Sequence, residues 1–212
     1  MLNFFKKSNK ILGVDSATNV VLRSIKNNIP AIPLFFSNSV AKKISNEWGK
    51  AKLIFGNNCI AHLNNLKDLM LGVKNLLSDD GVFVIECNYW GGMVKNTNYS
   101  LIYHDHFSYF SVKPWINFAK KYKMYPFDAI VTPAQGGSLR LFLSKKKLKR
   151  TKKANLLVLI IFDRLSQPLL LLQLHKFHHD QANLLKRQQR QLRYRPFLSL
   201  FLQGKEQFCF PK

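Results

Sequence analysis

Up to about Ser144, short apolar runs alternate with stretches whose apolar residues recur at helical spacing. Short runs rich in β-branched and aromatic residues predict buried strands, whereas apolar residues at i, i+3 and i+4 predict helices. Alternation of this kind is typical of an α/β fold with a mainly parallel sheet and helices on both faces. The pattern predicts strands at 11–15, 31–36, 52–55, 82–87, 125–131 and 138–143, and helices at 19–28, 39–48, 63–77 and 113–123.

Polar residues favour caps and turns at the ends of two predicted helices. Ser37 or Asn38 is suited to cap the helix at 39–48, because short polar side chains accept hydrogen bonds from the first helical N–H groups. The sequence Asp79-Asp80-Gly81 predicts a turn that closes the helix at 63–77. The order of elements is therefore supported by both periodicity and turn chemistry.

After Ser144 this pattern ends and the charge balance changes. Residues 1–144 contain 17 Lys and Arg and 8 Asp and Glu, whereas residues 145–212 contain 16 and 3. The change begins at a basic run, Lys145–Lys153, although surface helices normally carry charges of both signs. Lysine runs are encoded by adenine-rich codons, where a reading frame can slip. We therefore interpret 1–144 as a domain and 145–212 as an irregular or helical basic tail, either disordered or translated out of frame.

Composition narrows the class of protein. A chain of 212 residues is long enough for one domain with its own core, and 47% hydrophobic residues argue against general disorder. The cysteines Cys59, Cys87 and Cys209 form no C-x-x-C pair, so we expect neither a zinc site nor disulfides, in keeping with a reducing cytoplasm. We expect no secretory signal and no transmembrane segment, because no apolar run approaches the roughly 20 residues of a spanning helix.

The strongest local signal is the segment Tyr103-His104-Asp105-His106, which continues to Ser111. All four side chains can exchange protons or hydrogen bonds, and such groups suit the removal of a proton and the stabilisation of negative charge. The segment follows a buried strand, and open α/β sheets place their sites where strands end. The alternative is a polar loop that joins a strand to a helix.

Other polar residues also follow predicted strands. Asp15 ends the first strand, where an acidic side chain commonly accepts the hydroxyls of a bound ribose; the alternative is a helix cap. Asn57 and Asn58 follow another strand and could face a ligand, although Asn is also natural in turns. His62 lies four residues further on, and a lone histidine there is more often a structural hydrogen-bonding residue.

Three weaker signals complete the set. Gly137, Ser138 and Arg140 could offer backbone N–H groups and a guanidinium to a phosphate, or could simply form a tight turn. His175, His178 and His179 have helical spacing, but no carboxylate or cysteine partner is evident, so we predict no metal. The basic run favours nucleic acid or an anionic membrane surface as an alternative, but no nucleic-acid fold signature accompanies it.

Seven segments in the first 144 residues together resemble one enzyme family. They are Leu12–Val20, Phe35–Ser37, Asn57–His62, Gly72–Leu77, Asp80–Glu86, Tyr103–Ser111 and Gly136–Arg140. The resemblance is to the S-adenosylmethionine-dependent sugar C-methyltransferases that act on nucleotide-linked 4-keto-deoxysugars. The tyrosine-histidine-acid-histidine segment is the most specific of the seven, because the others recur in many methyltransferases.

The resemblance implies a reaction and assigns catalytic roles. The keto group acidifies a neighbouring C–H, a base removes the proton, and the enolate carbon attacks the sulfonium methyl group. His106 is the expected base, because an imidazole titrates near neutral pH, and Asp105 would orient or polarise it. Tyr103 and His62 would bind the sugar or stabilise the enolate oxygen. The family usually has glutamate at the position of Asp105, whose carboxylate is about one methylene shorter.

The same resemblance implies binding residues for two ligands. Asp15 would hold the ribose of S-adenosylmethionine, with Asn57 and Asn58 nearby. The remaining candidates, His104, Gly137, Ser138 and Arg140, would serve the nucleotide-sugar. No nucleic-acid partner is implied for residues 1–144, and the resemblance does not indicate an oligomeric state.

The chain also departs from the family pattern. Family members have a cysteine-rich zinc domain, a first strand with a glycine-rich cofactor loop, and a further C-terminal domain, none of which matches this sequence. We therefore expect a methyltransferase fragment with an incomplete Rossmann-like class I fold and weakened cofactor binding. The missing strand would leave a gap between the strands at Leu12 and Leu53, with costly unpaired backbone groups. A nucleoside-binding α/β protein without methyl transfer is a further alternative.

Overall fold

A computed structural model describes Leu2, residues 10–102, residues 104–148 and the backbone of residues 197–202. Several predicted features lie outside this described part of the chain. They are Tyr103, most of the tail after Leu148 and the three tail histidines, His175, His178 and His179.

The described residues form seven strands and five α-helices, with three short 3₁₀ turns between them. The strands are β1 (Lys10–Asp15), β2 (Ala31–Ile32), β3 (Ala51–Asn57), β4 (Leu77–Asn88), β5 (Tyr125–Thr132), β6 (Ser138–Ser144) and β7 (Phe197–Leu202). The helices are α1 (Thr18–Lys26), α2 (Asn38–Trp48), α3 (Leu66–Leu76), α4 (Trp90–Lys95) and α5 (Val112–Lys121), and the 3₁₀ turns are Ile60–His62, Tyr99–Leu101 and Ala134–Gly136.

All seven strands belong to one sheet in the order β2-β1-β7-β3-β4-β6-β5. Strands β1 and β2 are parallel, as are β3 and β4, whereas β6 runs antiparallel to both β4 and β5. Since β7 is antiparallel to β1 and β3, five strands share one direction and only β6 and β7 oppose it. The predicted α/β fold is confirmed, whereas the sheet predicted to be mainly parallel is mixed, because four of its six neighbouring strand pairs are antiparallel.

Strand β7 lies inside the sheet between β1 and β3, where the sequence predicted a gap. It pairs along its full length with β1, from Asp15↔Phe197 to Lys10↔Leu202, and with β3 on its other side. Its position satisfies backbone groups of both neighbours that would otherwise lack ladder partners. The division of the chain at residue 144 stays a prediction, but one segment of the predicted tail is a strand of this sheet.

Several boundaries differ from the sequence prediction for physical reasons. The strand predicted to reach Phe36 ends at Ile32, because Pro33 has no N–H to donate to a ladder. The turn predicted at 79–81 is wrong, since these residues belong to β4. A Cβ on Gly81 would lie 2.9 Å from the carbonyl oxygen of Ala51, so only glycine lets the two backbones approach there.

Two helices begin at capping residues. Ser37 caps α2 by accepting a hydrogen bond from the backbone N–H of Val40, as the sequence predicted. Helix α3 begins at Leu66 rather than at Leu63, because the Asn65 side chain accepts from the N–H of Asp68 and so fixes the first turn. Residues 63–65 therefore belong to a loop rather than to α3, and His62 lies at the end of a separate 3₁₀ turn.

The core fills the space between the sheet and its helices. Apolar side chains at the middle of β1, β3 and β4, such as Leu12, Ile54 and Ile85, are almost completely buried. Helix α3 contributes a buried face, and α5 contributes Trp115. Burying one such aliphatic side chain stabilises the folded state by about 1.5–3 kcal/mol relative to leaving it exposed. The polar residues at the strand ends therefore lie next to a closely packed core.

The described start of the basic run contacts the sheet. The Lys145 ammonium donates to the carbonyl oxygen of Leu77 at 2.5 Å and lies 3.4 Å from the Asp79 carboxylate. The Lys147 ammonium lies 5.5 Å from the centre of the Tyr125 ring. None of the described helices has the length and apolar character needed to cross a membrane.

Candidate active site

The predicted cofactor residues lie in one register row across the sheet. Asp15 in β1 pairs with Phe197 in β7, Phe197 pairs with Asn57 in β3, and Asn57 pairs with Glu86 in β4. Asp15 and Asn57 are therefore two strand spacings apart, or about 10 Å. This row is at the carboxyl ends of β1, β3 and β4, the edge at which open α/β sheets bind ligands.

Buried polar atoms line this edge. Asp15 is only 2% exposed, and one of its carboxylate oxygens accepts a 2.7 Å hydrogen bond from the backbone N–H of Ala17. The Ser16 hydroxyl and the side-chain oxygens of Asn57 and Asn58 are buried and have no hydrogen-bond partner among the described residues. Buried polar atoms rarely stay unsatisfied in a folded protein, so such oxygens are suited to accept hydrogen bonds from a ligand.

The backbone at Asn58 turns sharply out of β3. Asn58 has a φ of 51°, in the left-handed region that Asn tolerates better than most residues. Its N–H donates to the carbonyl oxygen of Glu86 at 2.8 Å, which joins the ends of β3 and β4. The turn leads directly into the 3₁₀ turn Ile60–His62, so the sheet edge and His62 are linked by a short, ordered segment.

A second group of side chains comes together from two distant segments. The N–H of Phe107 donates to the carbonyl oxygen of Ala61 at 2.8 Å and so fixes the 104–107 segment beside His62. The same segment continues to Phe110, which forms a parallel bridge with Tyr89 just after β4. These two connections hold Asp105 and His106 at the carboxyl ends of β3 and β4.

His62 and Asp105 are direct neighbours. Nδ1 of His62 lies 3.3 Å from a carboxylate oxygen of Asp105 and 3.2 Å from its backbone carbonyl oxygen. Both acceptors favour the tautomer in which Nδ1 carries the proton, which leaves Nε2 to act on a ligand. The carboxylate that sequence reasoning assigned to orienting His106 therefore contacts the other imidazole.

His106 completes the cluster. Its ring centre lies 4.6 Å from that of His62 in an edge-to-face arrangement and 5.6 Å from that of Tyr109. Partial burial lowers the pKa of His106 below the ordinary value of 6.5, and the nearby His62 lowers it further, while Asp105 acts in the opposite direction. His106 is therefore neutral at neutral pH and able to accept a proton.

His104 does not join this cluster. Its side chain is exposed, whereas Asp105 and His106 are half-buried. The cluster of three candidate ligand or proton-transfer groups is His62, Asp105 and His106. Of the four consecutive residues that the sequence singled out, the described structure brings two to His62 and leaves His104 at the surface.

Arg140 and Ser138 have partners within the sheet. The Arg140 guanidinium donates to one carboxylate oxygen of the buried Glu86, with Nε at 2.6 Å and Nη2 at 2.5 Å. Ser138 is fully buried, and its hydroxyl donates to the carbonyl oxygen of Ala134 at 2.9 Å. Gly137 has a φ of 125°, which restricts this turn to glycine. These contacts support the turn interpretation of the glycine segment.

Sequence reasoning did not single out Ser16, Glu86 or Tyr109. Ser16 had a usable signal, because it directly follows the acidic residue at the end of β1. Glu86 and Tyr109 had none, since the contacts of Glu86 with Arg140 and of Tyr109 with His106 depend on strand register and loop path.

Comparison with known proteins gives one informative relative. No protein-family model matches the chain. C-methyltransferase NovU of Streptomyces niveus is 30% identical over 142 residues, which cover 66% of this chain and 34% of that protein. A solved SAM-dependent methyltransferase from Anabaena variabilis ATCC 29413 has a TM-score of 0.49 and 13% identity, over 64% of this chain and 68% of that one.

The sequence match covers only part of the relative. The chain spans about a third of the length of the curated relative, because the match covers 34% of that protein. The matched length exceeds what a single shared motif would give, and it accounts for 66% of this chain. Over that length, the chain is similar to a C-methyltransferase.

Proposed function

We propose that this chain carries the catalytic part of an S-adenosylmethionine-dependent C-methyltransferase acting on a nucleotide-linked keto-deoxysugar. The observation that supports it most directly is the cluster of His62, Asp105 and His106 at the carboxyl ends of β3 and β4. A neutral imidazole next to an imidazole–carboxylate pair is suited to take a proton from carbon and to stabilise an oxyanion. The sequence match to a C-methyltransferase supports the same reaction class.

The residues at the sheet edge fit part of the cofactor. Asp15 lies where a carboxylate would accept the ribose hydroxyls, and the oxygens of Asn57 and Asn58 would accept hydrogen bonds from donors on the same ligand. When bound, S-adenosylmethionine supplies an electrophilic methyl group on a sulfonium. The position between β1 and β3 holds β7, whose amino end faces the site because the strand is antiparallel to both neighbours. We therefore expect weaker binding than a glycine-rich loop would give.

The two imidazoles take different roles in the proposed reaction. His106 accepts the proton from the carbon next to the keto group, because its lowered pKa keeps it neutral. The C–H electron pair becomes the enolate, and a bound S-adenosylmethionine would supply the methyl group to its carbon as the methyl–sulfur bond breaks and its electron pair stays on the departing thioether. His62, held at Nδ1 by Asp105, can donate from Nε2 to the enolate oxygen when both of its ring nitrogens carry a proton.

The direct test is transfer of a labelled methyl group from S-adenosylmethionine to a nucleotide-linked 4-keto-deoxysugar. We expect His106→Ala to lower the rate by about 100-fold or more, the usual contribution of a positioned base. Added imidazole should restore part of the activity by occupying the space that the substitution leaves. Lys120→Ala, at an exposed position on α5, should retain full activity. Equal rates for wild type and His106→Ala would refute the assignment.

Cofactor binding is tested separately by calorimetric titration. We expect measurable binding of S-adenosylmethionine, weaker than low micromolar, that Asp15→Ala reduces at least about 10-fold, equivalent to about 1.4 kcal/mol. Asp79→Asn is the control, since its carboxylate is 85% exposed and lies at the start of β4. Binding unaffected by Asp15→Ala would contradict the proposed ribose contact.

A further inference from the structure

We propose that His62, Asp105 and His106 form a binding site for a divalent transition-metal ion, of the class of Zn²⁺ or Co²⁺. Each residue offers one ligand atom, and the three atoms lie within 4.8 Å of one another. Two imidazoles and one carboxylate are a ligand set that these borderline metals prefer, and three protein ligands leave a position open for water or a substrate oxygen.

The backbone prearranges the site. His62 ends the 3₁₀ turn Ile60–His62, and the N–H of Phe107 donates to the carbonyl oxygen of Ala61 at 2.8 Å. This bond joins the two chain segments at positions next to the proposed metal ligands. Bonds of about 2.1 Å in a tetrahedron place ligand atoms about 3.4 Å apart. Side-chain movements of about 1 Å would therefore close the cluster around an ion, with no change in the backbone.

The surroundings allow an ion to enter. The side chains of His62 and Asp105 retain 19% and 34% of their exposed area, so the cluster is accessible from the sheet edge. The tail histidines His175, His178 and His179 come 69 or more positions after His106 in the sequence, and they are a separate candidate that the test must exclude.

Metal binding would oppose the proposed methyl transfer. An ion and a proton compete for the same imidazole lone pairs, so a bound ion removes the base and the enolate-stabilising donor together. This consequence rests on the proposed function, whereas the binding of an ion does not. A chain that transfers no methyl group could still bind metal, and a chain that binds no metal could still transfer a methyl group, so each proposal is tested by its own measurement.

The test is Co²⁺ titration of the full chain, followed by visible d–d absorption and by calorimetry. We expect one Co²⁺ per chain at this site and competition by Zn²⁺. His62→Ala and His106→Ala should each weaken binding more than about 100-fold, since an inner ligand is worth more than the 10- to 100-fold of its outer partners. His104→Ala, a histidine variant at an exposed neighbouring position, should bind like wild type.

A tail variant separates the two histidine groups. The quadruple substitution H175A/H178A/H179A/C209S removes the other candidate ligands and should retain the Co²⁺ spectrum. Loss of binding in this variant, together with retention in His62→Ala and His106→Ala, would overturn the proposal. Failure of the wild-type chain to bind either ion at millimolar concentration would overturn it as well. Circular dichroism of each variant confirms that a lost site is not a lost fold.

Discussion

The carboxylate of Asp105 lies 3.3 Å from Nδ1 of His62, although 43 positions of sequence separate the two residues. Asp105 therefore acts on a histidine from another loop. The pair is held by the Phe107–Ala61 backbone hydrogen bond, which fixes the two loops against each other. The two imidazoles therefore differ, because Asp105 contacts His62 while His106 lies half-buried beside it.

The first prediction concerns Asp105→Asn. The amide keeps the size of the side chain but removes its charge, so His62 loses the carboxylate that orients its ring. We expect the rate of methyl transfer to fall by about 10- to 100-fold, within the lower range of a general acid–base contribution. Steady-state assays should show the loss mainly in kcat. Asp79→Asn changes an exposed carboxylate and should have no effect.

The second prediction is the pH dependence of stability. His106 has a pKa below the ordinary 6.5, so the unfolded chain binds a proton more readily than the folded chain. The free energy of unfolding should therefore be greatest above pH 6.5 and should fall as the pH drops from 6.5 through the lower pKa of His106. Urea unfolding at several pH values measures the slope, and His106→Gln should reduce it. An unchanged slope in His106→Gln would exclude His106 as its source.

The third prediction uses the electrostatic effect of His62 on its neighbour. His62 lowers the pKa of His106, with their ring centres 4.6 Å apart. In His62→Gln this Coulombic effect is absent, and we expect the pKa of His106 to rise toward 6.5. NMR titration of the imidazole Cε1 proton follows the shift directly. A pKa that falls further in the variant would contradict the assigned cause.

The fourth prediction concerns Arg140 and the buried Glu86. Arg140→Met leaves a buried carboxylate without its charged partner, and we expect the free energy of unfolding to fall by about 1–3 kcal/mol, a loss reduced because the Arg140 side chain is 37% exposed. Glu86→Gln combined with Arg140→Met should recover part of this loss, because no buried charge remains. If Arg140 instead serves the substrate, the single variant should raise KM and leave stability unchanged.

The fifth prediction concerns β7, the strand between β1 and β3. Leu200 in β7 pairs with Leu12 on one side and Ile54 on the other, so Leu200→Pro would interrupt a strand bonded on both edges. We expect a loss of about 3 kcal/mol or more in the free energy of unfolding. Leu200→Val, which suits a strand, should cost much less. A chain that ends at residue 196 should be destabilised at least as much as Leu200→Pro.

Much of the fold could be predicted from the local pattern of apolar and polar residues in the sequence. The helix cap at Ser37 follows from a short polar side chain before a helical stretch, and the parallel pairing of β3 with β4 follows from strand–helix alternation. Helix α4 was missed because its six residues, Trp90–Lys95, contain a Gly-Gly pair that weakens any helical signal. Its position after β4 depends on the bond from the N–H of Trp90 to Phe110.

The sequence by itself determined the apolar strands, the order of the elements and the residue types that can carry the chemistry, because these depend on neighbours within one turn or one strand. Only the tertiary structure decided which groups meet. In the folded chain, Asp105 contacts His62, Arg140 pairs with Glu86, and β7 lies between β1 and β3. The physical reason is that strand register and loop path, set by packing over the whole sheet, fix contacts between residues far apart in sequence.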